Sequence, residues 1–383
     1  MRAMRRVSVV RAVLAWSLAL AAGVVLAAQG TESTLEQVRP IVIAHRGASG
    51  YVPEHTLAAY FIAAQQGADF LEPDLVMTRD GVLVARHENE ISATTDVASR
   101  AEFAARRATR VIDGQSVTGW FTEDFTLAEL KTLRARERIP QLRPGNVRFD
   151  GMFEIPTLEE ILALVQGLDA QRQAAARAAG VAPPPPLGLY PETKHPTYFA
   201  ARGLPMEKAL VDTLQRWGYV GRDAPIFIQS FETGNLKALR GMTQLPLIQL
   251  LAADGRPWDW EVAGDARTYR DLATPEGLHT IARYADGIGP EKTMIVGRDG
   301  MGAMGSPSAL VQDAHAAGLR VHPWTFRAEN HFLPGPQRSA GSPADRGDLG
   351  GELQPFLVNG IDGFFTDHPD LGVRARDAYV RTR

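Results

Sequence analysis

The chain has 383 residues and not one is cysteine. That excludes disulfide bonds and any anchor through a lipid-modified cysteine. It also lacks an excess of positive charge. Lys and Arg number 41 against 44 Asp and Glu, the formal net charge is -3, and no basic stripe runs along the sequence. Nucleic acid is therefore a poor candidate partner. No self-similarity appears at the periods of about 20–50 residues that mark solenoids. The apolar run from Ala12 to Ala28 is slightly short for a membrane span of about 20 residues.

That run is instead framed as an export signal. Arg2, Arg5, Arg6 and Arg11 precede or open it, and Val25-Leu26-Ala27-Ala28 ends it with small residues. The expectation is a signal peptide over residues 1–28 and a mature chain starting near residue 28 or 29. It would be periplasmic first, secreted as the alternative, with no stable membrane anchor once cleaved. The competing reading is an uncleaved anchor.

Hydrophobic residues make up 45% of the chain, enough for a large core, and one barrel-type domain can use this length without splitting. Short apolar runs at 41–44, 68–76, 188–194, 226–231, 246–251, 285–289, 319–325 and 362–366 read as buried strands. Helical patterns separate them, at 53–66, 206–217, 275–284 and 308–317. This alternation predicts an α/β fold with a parallel sheet closed as a (β/α)8 TIM barrel, occupying residues 29–383 as one domain. A further strand, 82–86, follows Arg79-Asp80-Gly81 too closely for a parallel crossover, so it doubles back as a β-hairpin extension and returns His87 close to Asp74. Residues of about 88–155 do not alternate and read as a small inserted subdomain on the catalytic rim. Its clear helix signal is the capping box Thr126 to Glu129. A long helix from Thr157 to Ala179 leads to the stiff connector Pro183–Pro186. Residues 328–351, rich in Gly, Pro and Ser, read as a mobile loop.

Strand ends carry the chemistry. Ile41-Val42-Ile43-Ala44 runs into His45-Arg46-Gly47. Phe70-Leu71-Glu72-Pro73-Asp74-Leu75-Val76 carries two carboxylates two residues apart, which face the same way on a strand. Tyr190-Pro191-Glu192-Thr193-Lys194 repeats that spacing with Glu192 and Lys194. If these strands are neighbours, Glu72, Asp74 and Glu192 converge at the barrel mouth. Three carboxylates there repel one another unless a cation neutralises them, and an all-oxygen site suits Ca2+ or Mg2+ better than zinc. His45 and His87 can accept or donate protons, Arg46 can grip phosphate oxygens, and Lys194 adds a point charge. Together these are the parts for acting on a phosphate diester. Trp324 ends another strand and is either a wall for a small polyol or rim packing. Asp367 either orients Trp324 or a histidine, or caps the helix at Pro369. Glu54 either supports the site from behind or caps the first helix.

The motifs resemble the glycerophosphodiester phosphodiesterase family, nearest to its periplasmic bacterial branch. The match starts at His45-Arg46-Gly47-Ala48-Ser49-Gly50-Tyr51 and Pro53-Glu54-His55-Thr56. It continues through Glu72-x-Asp74, His87, Tyr190-Pro191-Glu192-x-Lys194, His322-Pro323-Trp324-Thr325 and Phe365-Thr366-Asp367-x-Pro369, nearly the whole mature chain. The resemblance implies Glu72, Asp74 and Glu192 as ligands of one divalent cation, Ca2+ ahead of Mg2+. It implies His45 and His87 as the acid–base pair, and Arg46 and Lys194 on the phosphate. The implied reaction converts a small-molecule glycerophosphodiester to sn-glycerol 3-phosphate and an alcohol by in-line attack through a cyclic phosphate. Which histidine is acid and which is base stays open. Rival readings are a lysophospholipase D, a diesterase of polymeric glycerophosphate, or an exported binding protein without catalysis. The chain departs from the pattern at Glu88, where the family usually has Asp, at Pro73 between two ligands, and at Thr193 and His195 around Lys194. Pro73 lacks a backbone donor, so a local bulge or twist there is able to shift the ligands.

Overall fold

The computed structural model describes residues 39–382, and the expected signal peptide lies outside them. The first strand, β1 (Ile41–His45), is followed by helix Leu57–Gln65. Next come β2 (Phe70–Glu72), β3 (Asp74–Met77) and the returning β4 (Leu83–Ala85). Beyond these lie β5 (Ala108–Ile112), β6 (Gln115–Gly119), the long helix Leu158–Ala179, β7 (Gly188–Leu189) and β8 (Glu192–Thr193). The second half contributes β9 (Ile228–Ser230), β10 (Leu247–Leu251), β11 (Gly287–Pro290), β12 (Val296–Arg298), β13 (Met304–Pro307), β14 (Arg320–Val321) and β15 (Gly363–Thr366).

One run of strands is ordered β15-β1-β2-β7, the other β14-β11-β10-β9-β8-β3-β4. All neighbours are parallel except β3 with β4, where Leu75 faces Ala85 and Met77 faces Leu83. The two runs are one barrel. β2 and β3 are halves of a single strand, as are β7 and β8, and Asp362 N and Phe365 N donate to Val321 O and Pro323 O to close the ring. The fold is a (β/α)8 barrel, with helices outside and a packed interior. Ile43, Tyr190, Phe227, Ile248 and Phe365 fill that interior.

The breaks within the two composite strands have one cause. Proline cannot donate to a ladder, and the breaks fall at Pro73 and Pro191. In each the carbonyl is still used: Glu192 N donates to Pro73 O and Gln229 N to Pro191 O, both at 2.9 Å. Each strand therefore changes partners at its proline without slipping. Register sets His45 beside Glu72, Asp74 beside Glu192, and Glu192 beside Gln229. The ladder thus runs past Pro73 in register, and Glu72, Asp74 and Glu192 still converge.

Other expectations need correction. The first helix starts at Leu57, not residue 53, and its cap is Thr56, whose hydroxyl accepts from Ala59 N. The 319–325 strand shortens to Arg320–Val321. The segment between β4 and the long helix holds an antiparallel hairpin, β5–β6, in addition to the expected capped helix Leu127–Leu130. Its two-residue turn is Asp113-Gly114, both at positive φ (44° and 77°), the geometry that Asp-Gly favours. Residues 328–351 are pinned by Asn330, which bonds Ser339 and Ser342, and by the Glu329–Arg143 pair at 2.6 Å. None of the described helices is long and apolar enough to cross a membrane.

Candidate active site

Glu72, Asp74 and Glu192 stand at the C-terminal mouth of the barrel, all buried, with one carboxylate oxygen of each within 4.8 Å of the others. Their electrostatics are those of an anionic cluster that Lys194 and Arg46 compensate only in part. Burial, then Asp74 and Glu192, raises Glu72 well above the usual carboxylate range. Burial pushes Glu192 up to about 8 against the pull of Lys194. Asp74 is buried too, but Lys194, His55 and Arg46 outweigh that and hold it well below its ordinary value. Beside the cluster, Gln229 donates its amide to Glu72 Oε1 at 3.1 Å while its own Oε1 is buried without a hydrogen-bond partner. Three oxygen donors, two of them pushed toward the protonated state, and an orphaned amide oxygen all fit a hard divalent cation. Asp74 is oriented from behind by His55 Nε2 at 2.8 Å, and the Tyr60 hydroxyl holds His55 Nδ1 at 2.8 Å, the support that ligating carboxylates commonly have.

His45 ends β1. Its Nδ1 lies 2.6 Å from Asp367 Oδ1, and its Nε2 accepts from Arg46 Nε at 3.2 Å. Asp367 is gripped in turn by Arg143 at 2.5 Å and Arg327 at 2.8 Å. Asp367 thus orients a histidine, while the helix Pro369–Arg381 has no side-chain cap. His87 follows β4, with Nδ1 2.6 Å from Glu88 Oε1. Burial, then Arg46, lowers both imidazoles to about 3. Without substrate both are neutral near pH 7, with the carboxylate-bound Nδ1 carrying the proton and Nε2 the basic nitrogen, which in His45 accepts from Arg46.

The chain matches the Glycerophosphoryl diester phosphodiesterase family over residues 45–371. It belongs to that family. It is 36% identical to a glycerophosphodiester phosphodiesterase of Arabidopsis thaliana, covering 89% of this chain and 87% of the relative. It is 30% identical to the glycerophosphodiester phosphodiesterase of Haemophilus influenzae, covering 94% and 97%. Among solved structures, the fold is shared with an Oleispira antarctica phosphodiesterase in complex with the product sn-glycerol-3-phosphate (TM-score 0.53, 22% identity, 88% of this chain and 97% of that one). It is also shared with a glycerophosphodiester phosphodiesterase from Agrobacterium tumefaciens (TM-score 0.52, 18% identity, 88% and 99%).

In this family member the expected site residues meet in one place. His45, Arg46, Glu72, His87, Glu192, Lys194 and Trp324 line a single cavity of about 460 Å³, with Asp74 directly behind Lys194 (Nζ to Oδ1 3.3 Å). Lys194 Nζ also sits 2.7 Å from Glu192. Arg46, in the left-handed region at φ 61°, gives Nη1 to both Glu54 oxygens at 3.2 Å. Glu54, held also by Arg138 at 2.9 Å, therefore fixes the arginine rather than capping a helix. Trp324 donates to Gly289 O at 2.7 Å and packs edge-on against Phe231, so it is both rim packing and pocket wall. Sequence reasoning missed Asp113, His195, Gln229, Arg143 and Arg327. The Asp-Gly pair flanked by a β pattern was the signal available for the first; the others carry no local signature.

Proposed function

We propose that this phosphodiesterase hydrolyses glycerophosphodiesters to sn-glycerol 3-phosphate and an alcohol, with a divalent cation, Ca2+ ahead of Mg2+, held by Glu72, Asp74 and Glu192. One observation carries the reading: a buried carboxylate triad, with Glu72 and Glu192 lining one cavity, stands beside two carboxylate-oriented histidines that line the same cavity. The Oleispira protein's product, sn-glycerol-3-phosphate, is what such a site would release. When bound, the cation polarises the phosphoryl oxygen and offsets its charge.

The chain's own groups do the rest. One of His45 and His87 accepts the proton of the glycerol 2-hydroxyl as that oxygen attacks phosphorus in line. The other takes up one proton from solvent as the anionic diester binds and donates it to the departing alcohol. Water then reopens the cyclic phosphate with the two roles exchanged. Arg46, immobilised by Glu54, and Lys194 present positive charge to the phosphate oxygens. Asp367 and Glu88 keep each Nδ1 protonated and each Nε2 aimed inward. Trp324 walls the polyol.

The inserted segment favours a small alcohol over a lysophospholipid or a polymer. Its hairpin tip closes on the pocket: Asp113 lines the cavity, and a Cβ at Gly114 would sit 3.0 Å from Trp258. A substrate panel tests the whole reading. Glycerophosphocholine and glycerophosphoethanolamine should turn over with Ca2+ and release glycerol 3-phosphate. Preference for a lysophospholipid or polyglycerophosphate would move the assignment within the class, and no turnover of any diester by metal-loaded protein would leave a binding protein. Export through residues 1–28 belongs to the same proposal and is supported by the charge and apolar pattern there. N-terminal sequencing of the exported protein should begin near residue 28 or 29, and finding Met1 would defeat it.

A further inference from the structure

His87 is the end of a chain of four side chains, of which the reaction above leaves His195 and Asp113 unused. Glu88 Oε1 is 2.6 Å from His87 Nδ1. Glu88 Oε2 lies 3.1 Å from His195 Nε2, and His195 Nδ1 lies 2.6 Å from Asp113 Oδ2. All four residues line the same cavity, yet they come from three distant pieces of chain: the end of β4, the segment after β8, and the tip of the inserted hairpin.

The two histidines are held differently. His45 leans on Asp367, which is buried and clamped by two arginines. His87 leans on Glu88, whose side chain is 48% exposed. A glutamate with that freedom loses rotamer entropy when pinned, and a solvated pair of this kind is weak by itself. Only a second donor on its other oxygen fixes it, and His195 is that donor. To supply it, His195 adopts φ 49° immediately before Pro196, and Asp113 adopts φ 44°. The left-handed backbone at His195 is costly and occurs where surrounding structure enforces it, while that at Asp113 belongs to the hairpin turn itself. Burial lowers the His195 pKa, but the bonds to Asp113 and Glu88 outweigh it and raise it to about 9. At neutral pH both ring nitrogens therefore carry protons, one for each carboxylate.

We infer that His195 is a positioning residue for His87, acting through Glu88 and tied to Asp113, so that the inserted hairpin sets the orientation of an acid–base histidine. The inference rests on the acid–base reading of His87. It also accounts for Glu88 and His195 together: the longer glutamate spans from His87 to a second donor beside Lys194.

The test is a double-mutant cycle on the full chain loaded with Ca2+ and turning over glycerophosphocholine, with His195→Gln, Glu88→Gln and the double variant. Because His195 acts through Glu88, His195→Gln should lower kcat about 10-fold with KM within about threefold, and the double variant should be no slower than Glu88→Gln alone. Ca2+ affinity by calorimetry should stay near wild type, and melting temperature, lowered by loss of the protonated imidazole, should stay well above the assay temperature. If His195→Gln folds poorly, Asp113→Asn on the hairpin tip replaces it, with a smaller loss of kcat that vanishes in the Glu88→Gln background. Turnover by His195→Gln within about twofold of wild type, or losses that multiply in the double variant, would overturn the inference. His87→Ala, measured alongside, separates the two claims. An inactive His87→Ala with a normal His195→Gln defeats the positioning role alone, whereas an active His87→Ala defeats the acid–base reading beneath it.

Discussion

Each histidine of the site gets its tautomer from a carboxylate and its low basicity from burial, so each should be individually necessary. His45→Ala and His87→Ala are each expected to lose about 10²–10⁴ in kcat, measured on glycerophosphocholine at saturating Ca2+; near-normal turnover by either would remove that residue from the proton transfers. Glu72→Gln should abolish tight Ca2+ binding in calorimetry while leaving the fold intact, since Gln229 already meets that side chain through an amide. His195 offers a test by pH. Its folded pKa, about 9, lies above the ordinary 6.5 because Asp113 and Glu88 hold the proton. The stabilisation this gives is complete below about pH 6.5 and is lost as pH rises through about 9. Melting temperature should therefore fall across that window in wild type and fall less in His195→Gln; parallel curves would contradict the assignment. At this scale the sequence was informative where residue type and strand position coincide, as for His45, Glu72, Asp74 and Glu192. It was silent on Arg143 and Arg327, because long-range charge partners leave no mark on their neighbours in the chain.

Among the elements, the loop after β1 is the most constrained. Gly47 has φ 81°, and a Cβ there would lie 2.6 Å from the backbone carbon of Ala59. Neither the dihedral nor the contact tolerates a side chain. Gly47→Ala should cost roughly 1–3 kcal/mol or more in denaturant unfolding and should lower activity as well, because Arg46 and His45 adjoin it; an unchanged unfolding midpoint would show that the loop relaxes. The strands themselves were legible as apolar runs, and so was the doubling back of β4, since a turn of that length permits nothing else. Their ends were not. Pro73 and Pro191 break two runs that hydropathy alone draws as continuous, and the pairing that rescues each break comes from the adjacent strand. The β5–β6 hairpin escaped notice because its exposed residues, such as Thr109, Val111, Ser116 and Thr118, show no clear apolar–polar alternation, although Asp113-Gly114 marks its turn.

Over the whole molecule, strand–helix alternation was enough to read the barrel, since eight buried apolar strands in sequence have few other ways to pack. How the inserted segment bears on the barrel was beyond the sequence. It reaches the catalytic mouth through Asp113 to His195, through Arg138 to Glu54, and through Arg143 to Asp367 and Glu329. Both histidines are thus braced, at one remove or two, by residues outside the strand–helix repeat. The account stands on the claim that the carboxylate triad, loaded with a divalent cation, and the paired imidazoles cleave a phosphodiester. The most direct measurement is glycerol 3-phosphate release from glycerophosphocholine by purified protein with Ca2+, after EDTA, and after Ca2+ is restored. Release that stops with the chelator and returns with the ion is the predicted result. Release that continues unchanged in metal-free protein would contradict the account.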